Sequence, residues 1–295
     1  MFDMFSQEAP SYQANSNSSS RGDTFVISVG GSLLVKEGPD AQKISEFAQV
    51  ISSLHSSGKR IVLVVGGGRI ARDYVEALGV FGANNFEKDM IGIKVTRLNA
   101  LLVANSLEKA HKEVLEDIGR AKEILDAGKI PVYGGLVPLF TTDAVGALLA
   151  EFLGATFVNL TNVDGIYDSN PRDNPDAKRF DKIGYSRLVS LISANVSVPG
   201  QNVVLDLPCC LVLQRSKIPA AVLDGNDLSN FSSFVNGSSF IGTEIGDFED
   251  FVPEDSVDEE PKAVKKRKIK KPKNVRGKKE YDDSFSVADV DRMKL

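Results

Sequence analysis

Three times in the first half of the chain an apolar run ends in glycines, and this recurrence constrains the fold more than any other feature. Phe25 to Val29 (FVISV) runs into Gly30-Gly31-Ser32, Arg60 to Val65 (RIVLVV) into Gly66-Gly67-Gly68, and Lys129 to Tyr133 into Gly134-Gly135. Such runs read as strands buried on both faces, which is the pattern of a parallel sheet covered by helices. The segment between the first two supports this. Over Asp40 to Ser57, Ile44, Phe47, Ala48, Ile51 and Leu54 recur at helical spacing behind a capping Asp40. The expected fold is therefore α/β, a three-layer αβα sandwich around a mostly parallel sheet. A glycine turn at a strand's carboxyl end lets backbone N–H groups face an anion. One such turn can be any tight turn. Three along one sheet edge argue for a phosphorylated ligand.

The second loop carries the stronger anion signal, because Arg69 and Arg72 follow its glycines on a new helix. Neither G-x-G-x-x-G nor a Walker lysine–hydroxyl pair is present, so dinucleotide-binding and P-loop readings lose ground. Arg72 can be a plain surface charge, but its phase relative to the glycines favours ligand contact. The third loop continues through Leu136, Val137, Pro138, Leu139 and Phe140 into Thr141, Thr142 and Asp143. A small, apolar helix, Ala144 to Phe152, comes next and stops at Gly154. Phe157 to Leu160 reads as a strand and Thr161-Asn162-Val163-Asp164-Gly165 as a polar turn at its end. A capped helix before a core strand accounts for this stretch; hydroxyls on a positive helix end also offer donors to an anion.

Elsewhere the pattern is less informative. Phe86 to Asn105 reads as a helix on which Asp89 and Arg97 are expected to face solvent, and Glu113 to Ala127 as a surface helix. Tyr167 can stack on a base or cover the core. The segment up to Ile183 reads as loop, Tyr185 to Ala194 as helix, Ser197 to Asn202 as loop, and Asp206 opens another helix. Ile218 to Leu223 is a strand, Leu228 to Val235 a helix and Ser239 to Gly242 a last short strand.

Composition excludes several chemistries. His55 and His111 are the only histidines and are expected at the surface, so histidine acid–base catalysis is disfavoured. Cys209 and Cys210 are adjacent, which leaves no disulfide framework or cysteine zinc site. No apolar run reaches membrane-spanning length, and the polar first residues lack a secretory apolar region. A cytoplasmic protein is expected. Residues 1–23 and 247–295 are expected to be disordered flanks of a domain over 24–246. The second flank is acidic and then strongly basic over 262–279, a run able to contact a polyanion.

With these loops placed, the sequence resembles the amino acid kinase superfamily, and most closely its archaeal-type uridylate kinases. The resemblance spans about Thr24 to Gly246 and rests on SVGGSLL, VVGGGRIAR, KDMIGIKVTRLNA, PVYGGLVPLFTTDAVGALLAEFLGA, TNVDGIYDSNP, Asp206 and IGTEIG. It implies transfer of the γ-phosphoryl of ATP to UMP with Mg²⁺, in a homo-hexamer. By position it places Gly31, Ser32, Gly68 and Arg72 around the ATP phosphates, and Thr161, Asn162, Tyr167 and Asn170 around the adenine nucleotide. Gly67, Asp89 and the loop Leu136 to Thr142 would hold UMP. Asp143, Asp206 and Arg72 would organise the transfer. Two departures stand out: Ser28 occupies a position where many relatives carry a lysine, and Leu211 one where archaeal-type relatives often do. The alternative from another class is a catalytically weak nucleotide-binding regulator or scaffold of the same fold.

Overall fold

The computed structural model describes residues 22–171, 173–196 and 204–248. Seven strands form one sheet: β1 (Thr24–Val29), β2 (Arg60–Val65), β3 (Val132–Tyr133), β4 (Thr156–Thr161), β5 (Lys182–Gly184), β6 (Ala220–Asp224) and β7 (Thr243–Gly246). Their order is β3-β2-β1-β4-β6-β7-β5. Every pairing is parallel except β6 with β7. The helices are α1 (Gly31–Leu34), α2 (Ala41–Ser56), α3 (Gly68–Val80), α4 (Asn85–Ser106), α5 (Arg120–Asp126), α6 (Thr142–Leu153), α7 (Tyr185–Val196), α8 (Leu207–Arg215) and α9 (Leu228–Val235).

The strand pleat divides the core in two. Phe25, Ile27 and Val29 of β1 join Ile61, Leu63 and Val65 of β2 on the face packed by α2, α4 and α9. Val26, Val62, Val64 and Phe157 belong to the other face, packed by α5, α6, α7 and α8. This alternation follows from the two-residue period of a strand and makes the expected three-layer sandwich. Gly146 lets α6 lie close on the sheet, since a Cβ there would come 2.6 Å from the Phe157 ring.

Several expectations need correction. Glu113 to Ala127 is helical only over Arg120–Asp126. Before it, the Leu115 N–H donates to the Val132 carbonyl at 3.0 Å, and an Asp117 carboxylate accepts from Gly119 N–H, so the chain runs beside β3 and then turns. His111, expected at the surface, lies just before this stretch and is half-buried, with Nε2 3.5 Å from Glu113 Oε2. β3 begins at Val132, after Pro131, which has no N–H to give. The segment ending at Ile183 contains β5, and the last strand is Thr243–Gly246 rather than Ser239 to Gly242. The expected loop at 197–202 and the two flanks, 1–21 and 249–295, lie outside the described residues. Among those described, no helix is long and apolar enough to cross a membrane.

Candidate active site

All three glycine loops sit on neighbouring strands at one edge of the sheet. The first two pack directly on each other. A Cβ on Gly31 would lie 2.2 Å from Gly68 N and 2.5 Å from Gly66 O, and Gly68 itself holds a φ of 64°. These glycines are therefore required by the contact between the loops themselves, whatever the loops bind. The end of β4 joins them: Gly30 N–H donates to the Leu160 carbonyl at 2.9 Å. Ser32 lies in the first turn of α1 and Gly68 opens α3, and Thr161 and Asn162 follow on the adjacent strand end.

The third loop is fixed by α4. That helix starts in a capping box, with Asn84 and Glu87 exchanging side chain-to-backbone hydrogen bonds. Along one face it then presents three anchors. Asp89 Oδ2 accepts from Leu139 N–H at 2.9 Å, and Thr96 Oγ1 accepts from Gly135 N–H at 2.7 Å. Arg97 donates from Nε to the Gly135 carbonyl at 3.0 Å and from Nη2 to Leu136 O at 3.4 Å, while Nη1 pairs with Glu116 at 2.7 Å. Asn99 does the same for the second loop, donating to Gly66 O at 2.9 Å. Asp89 is exposed, as expected, but its carboxylate is engaged. The expectation that Arg97 faces solvent is wrong, because its guanidinium is half-buried against the loop.

Between α3, α4 and the third loop lies a cavity of about 270 Å³ lined by Gly67, Gly68, Asp89, Thr96, Gly135, Val137, Leu139, Phe140, Thr141 and Thr142, with Lys88 at its wall. It brings together most residues expected to hold the acceptor; Leu136 and Pro138 belong to the same loop. Arg72 sits one turn into α3, exposed, and among the described residues it forms no ion pair.

The cavity ends at the first turn of α6. Thr141 caps that helix, its Oγ1 accepting from Asp143 and Ala144 N–H at 3.2 and 3.3 Å. Ser28 and Asn159 are cross-strand partners in the β1–β4 register and point to the same face. Ser28 Oγ donates to Asp143 Oδ1 at 2.7 Å, and Asn159 Nδ2 lies 3.5 Å from Oδ2. Asp206 caps α8, accepting from Cys209 N–H at 2.6 Å, and also accepts from the Thr141 hydroxyl. Burial pushes the Asp143 carboxyl up to about 6; the Ser28 hydrogen bond opposes this and the nearby Asp206 charge adds to it. Burial also raises Asp206, against the pull of the Cys209 N–H. Two carboxylates thus converge without a lysine or arginine bonded to either among the described residues. Ser28 is fully buried beneath them, and Leu211, on α8, is 45% exposed.

Among the residues expected around the adenine nucleotide, Tyr167 is half-buried and its hydroxyl donates to Asp164 Oδ1 at 2.8 Å. Arg179 clamps the same carboxylate at 2.8 Å, which fixes the turn that follows β4. Asn170 donates to Asp173 at 2.6 Å in the next turn. The histidines contribute nothing to these clusters.

Comparison with known proteins agrees with this architecture. Residues 23–224 match the model of the amino acid kinase family. The uridylate kinase of Thermococcus sibiricus is 41% identical over 215 residues, covering 72% of this chain and 95% of that protein. That of Methanocorpusculum labreanum is 42% identical over 223 residues, covering 75% and 94%. The crystal structure of uridylate kinase from Archaeoglobus fulgidus superposes with a TM-score of 0.68 at 38% identity, over 75% of this chain and 99% of that one. A UMP kinase structure from Bacillus anthracis, at 22% identity and a TM-score of 0.63, shares the fold. Sheet order, glycine loops and sequence agree that this chain belongs to the amino acid kinase family.

Proposed function

We propose that this chain is a UMP kinase that transfers the γ-phosphoryl of ATP to UMP. One observation carries the reading. Asp89 and the double-threonine loop, joined through Leu139 N–H, line one cavity, and its Thr141 both caps the helix that carries Asp143 and hydrogen-bonds Asp206. In this reading Gly67, Asp89 and the loop Leu136 to Thr142 hold UMP. Gly31, Ser32, Gly68 and Arg72 surround the triphosphate, and Thr161, Asn162, Tyr167 and Asn170 hold the adenine nucleotide. The chemistry asks mainly for in-line positioning and charge neutralisation.

The donor set fits Mg²⁺. Asp143 and Asp206 supply hard oxygen ligands, their pKa values are raised, and no protein cation is bonded to either among the described residues. Mg²⁺ is commonly held by one or two carboxylates plus substrate phosphates. Bound there, it would neutralise charge on the transferring phosphoryl group. The protein's own part is to hold Asp143 between Ser28 and Asn159, to hold Asp206 through Thr141 and Cys209 N–H, and to aim the positive end of α6 at the phosphates.

The kinase body is assigned to residues 24–246, acting in the cytoplasm, with the basic run at 262–279 as a polyanion contact outside it. The assembly is assigned as a homo-hexamer on family resemblance; self-association is supported by α3, which buries no residue in the single chain, and by exposed Tyr74, Phe81, Leu98 and Leu101 on α3, α4 and their connection. Light scattering of the purified protein checks the assembly. For the activity, the test is a coupled assay with ATP, Mg²⁺ and UMP, CMP, AMP or acetylglutamate in turn. UMP should be turned over well ahead of the others; equal use of a non-nucleotide acid would defeat the reading.

A further inference from the structure

Leu139 combines three features that the fold alone does not explain. Its φ is 76°, a left-handed conformation that costs a leucine free energy and that a glycine would adopt freely. Its side chain is 78% exposed, so it gains almost no burial in return. Its N–H is held by Asp89 Oδ2 at 2.9 Å, and its side chain lies at the lip of the cavity, beside Val137, which is 49% exposed. A residue that is neither relaxed nor buried is of no benefit to the fold by itself. Strain retained at a cavity mouth points to a ligand.

We propose that the Leu139 side chain is itself a substrate-contacting group, closing over the nucleoside half of bound UMP at the cavity lip. The proposal rests on the reading of this cavity as the acceptor site and adds to it. The loop backbone supplies hydrogen-bonding groups, whereas this side chain supplies the apolar cover. The geometry is consistent with one residue doing two jobs. Its N–H donates to the Asp89 carboxylate, and its left-handed backbone goes with a side chain left outside the core. There it becomes buried only when a nucleoside lies beneath it.

The test compares wild type with Leu139→Gly, which relieves the backbone and removes the side chain while keeping the N–H. Leu139→Asn, which also tolerates a left-handed backbone, serves as the second variant. UMP binding is measured by calorimetry, KM is measured for UMP and for ATP, and thermal midpoints are recorded. Both variants should weaken UMP binding and raise its KM by about tenfold, the scale of burying one leucine. KM for ATP should stay unchanged, and the thermal midpoint of the glycine variant should be equal or higher. An unchanged UMP KM overturns the proposal and leaves the acceptor-site reading intact. A glycine variant that melts well below wild type also overturns it, because the side chain would then serve the fold. Wild type that neither binds nor phosphorylates UMP removes the acceptor-site reading and this proposal together.

Discussion

Replacing Asp143 by asparagine should make the ligand-free protein more stable while disabling it. The carboxyl is buried against Ser28, Asn159 and Asp206 and pushed from its ordinary 3.8 up to about 6. The unfolded chain gives up this proton near 4, the folded chain only near 6. Between those values the folded state holds the extra proton, so stability falls as pH rises. At about 1.4 kcal/mol per pH unit this amounts to about 3 kcal/mol at pH 7. The residue keeps partial solvent contact, which screens the charge and brings the expected figure nearer ~2 kcal/mol. Asparagine carries no charge to bury and its carbonyl still accepts from Ser28. Urea unfolding of wild type and Asp143→Asn, without nucleotide and with chelator, should show the variant more stable by ~2 kcal/mol at pH 7.5, the gap closing towards pH 4. In the difference, titrations of distant carboxylates cancel. A variant equal to or weaker than wild type at pH 7.5, or a gap independent of pH, would refute the reasoning. In the same variant kcat should fall by roughly a hundredfold or more, as expected for a group organising charge in the transition state.

Other perturbations test neighbouring parts of the account. Ser28→Ala removes the hydrogen bond that holds the Asp143 carboxyl down, so the acid limb of the kcat–pH profile should move up by about 0.7 pH unit; an unmoved limb would separate Ser28 from the chemistry. Arg97→Ala frees the Gly135 and Leu136 carbonyls from α4 and should raise KM for UMP about tenfold with KM for ATP unchanged; equal rises in both would point to general disruption. Removing residues 252–295 should leave thermal midpoint and kcat within about twofold of the full chain, since the site residues all precede them, and a collapse of kcat with the fold retained would make that segment catalytic.

The parts of the site that are legible in the sequence are those set by local rules. An apolar run entering glycines names a strand and its ligand-facing end, and Thr141, Gly154 and Asp206 announce helix ends through their capping chemistry. The parts that are not legible depend on partners far along the chain. Arg97 and Asp89 sit on a charged helix where any polar residue looks solvent-facing. Their partners, Gly135 and Leu139, are 38 and 50 positions away. Ser28 is notable in the sequence only for what it replaces. Its contact with Asp143 needs the β1–β4 register, which aligns it with Asn159 beneath α6. The three-residue β5 is too short for a period to register, and residues 113–119 mislead because pairing beside β3 overrides their helical composition. The resemblance places Leu139 in the acceptor loop, but its left-handed backbone is invisible in a leucine.

The most direct measurement is a crystal structure of Asp143→Asn, slow enough to trap both substrates, soaked with UMP, ATP and Mg²⁺. The account predicts UMP in the cavity between Asp89 and the double-threonine loop, with the triphosphate on the Gly31–Gly68 side. The γ-phosphorus should lie about 3–3.5 Å from a UMP phosphate oxygen and in line with it. UMP bound elsewhere, or a triphosphate pointing away from Asp206 and the substituted side chain on the first turn of α6, would contradict it.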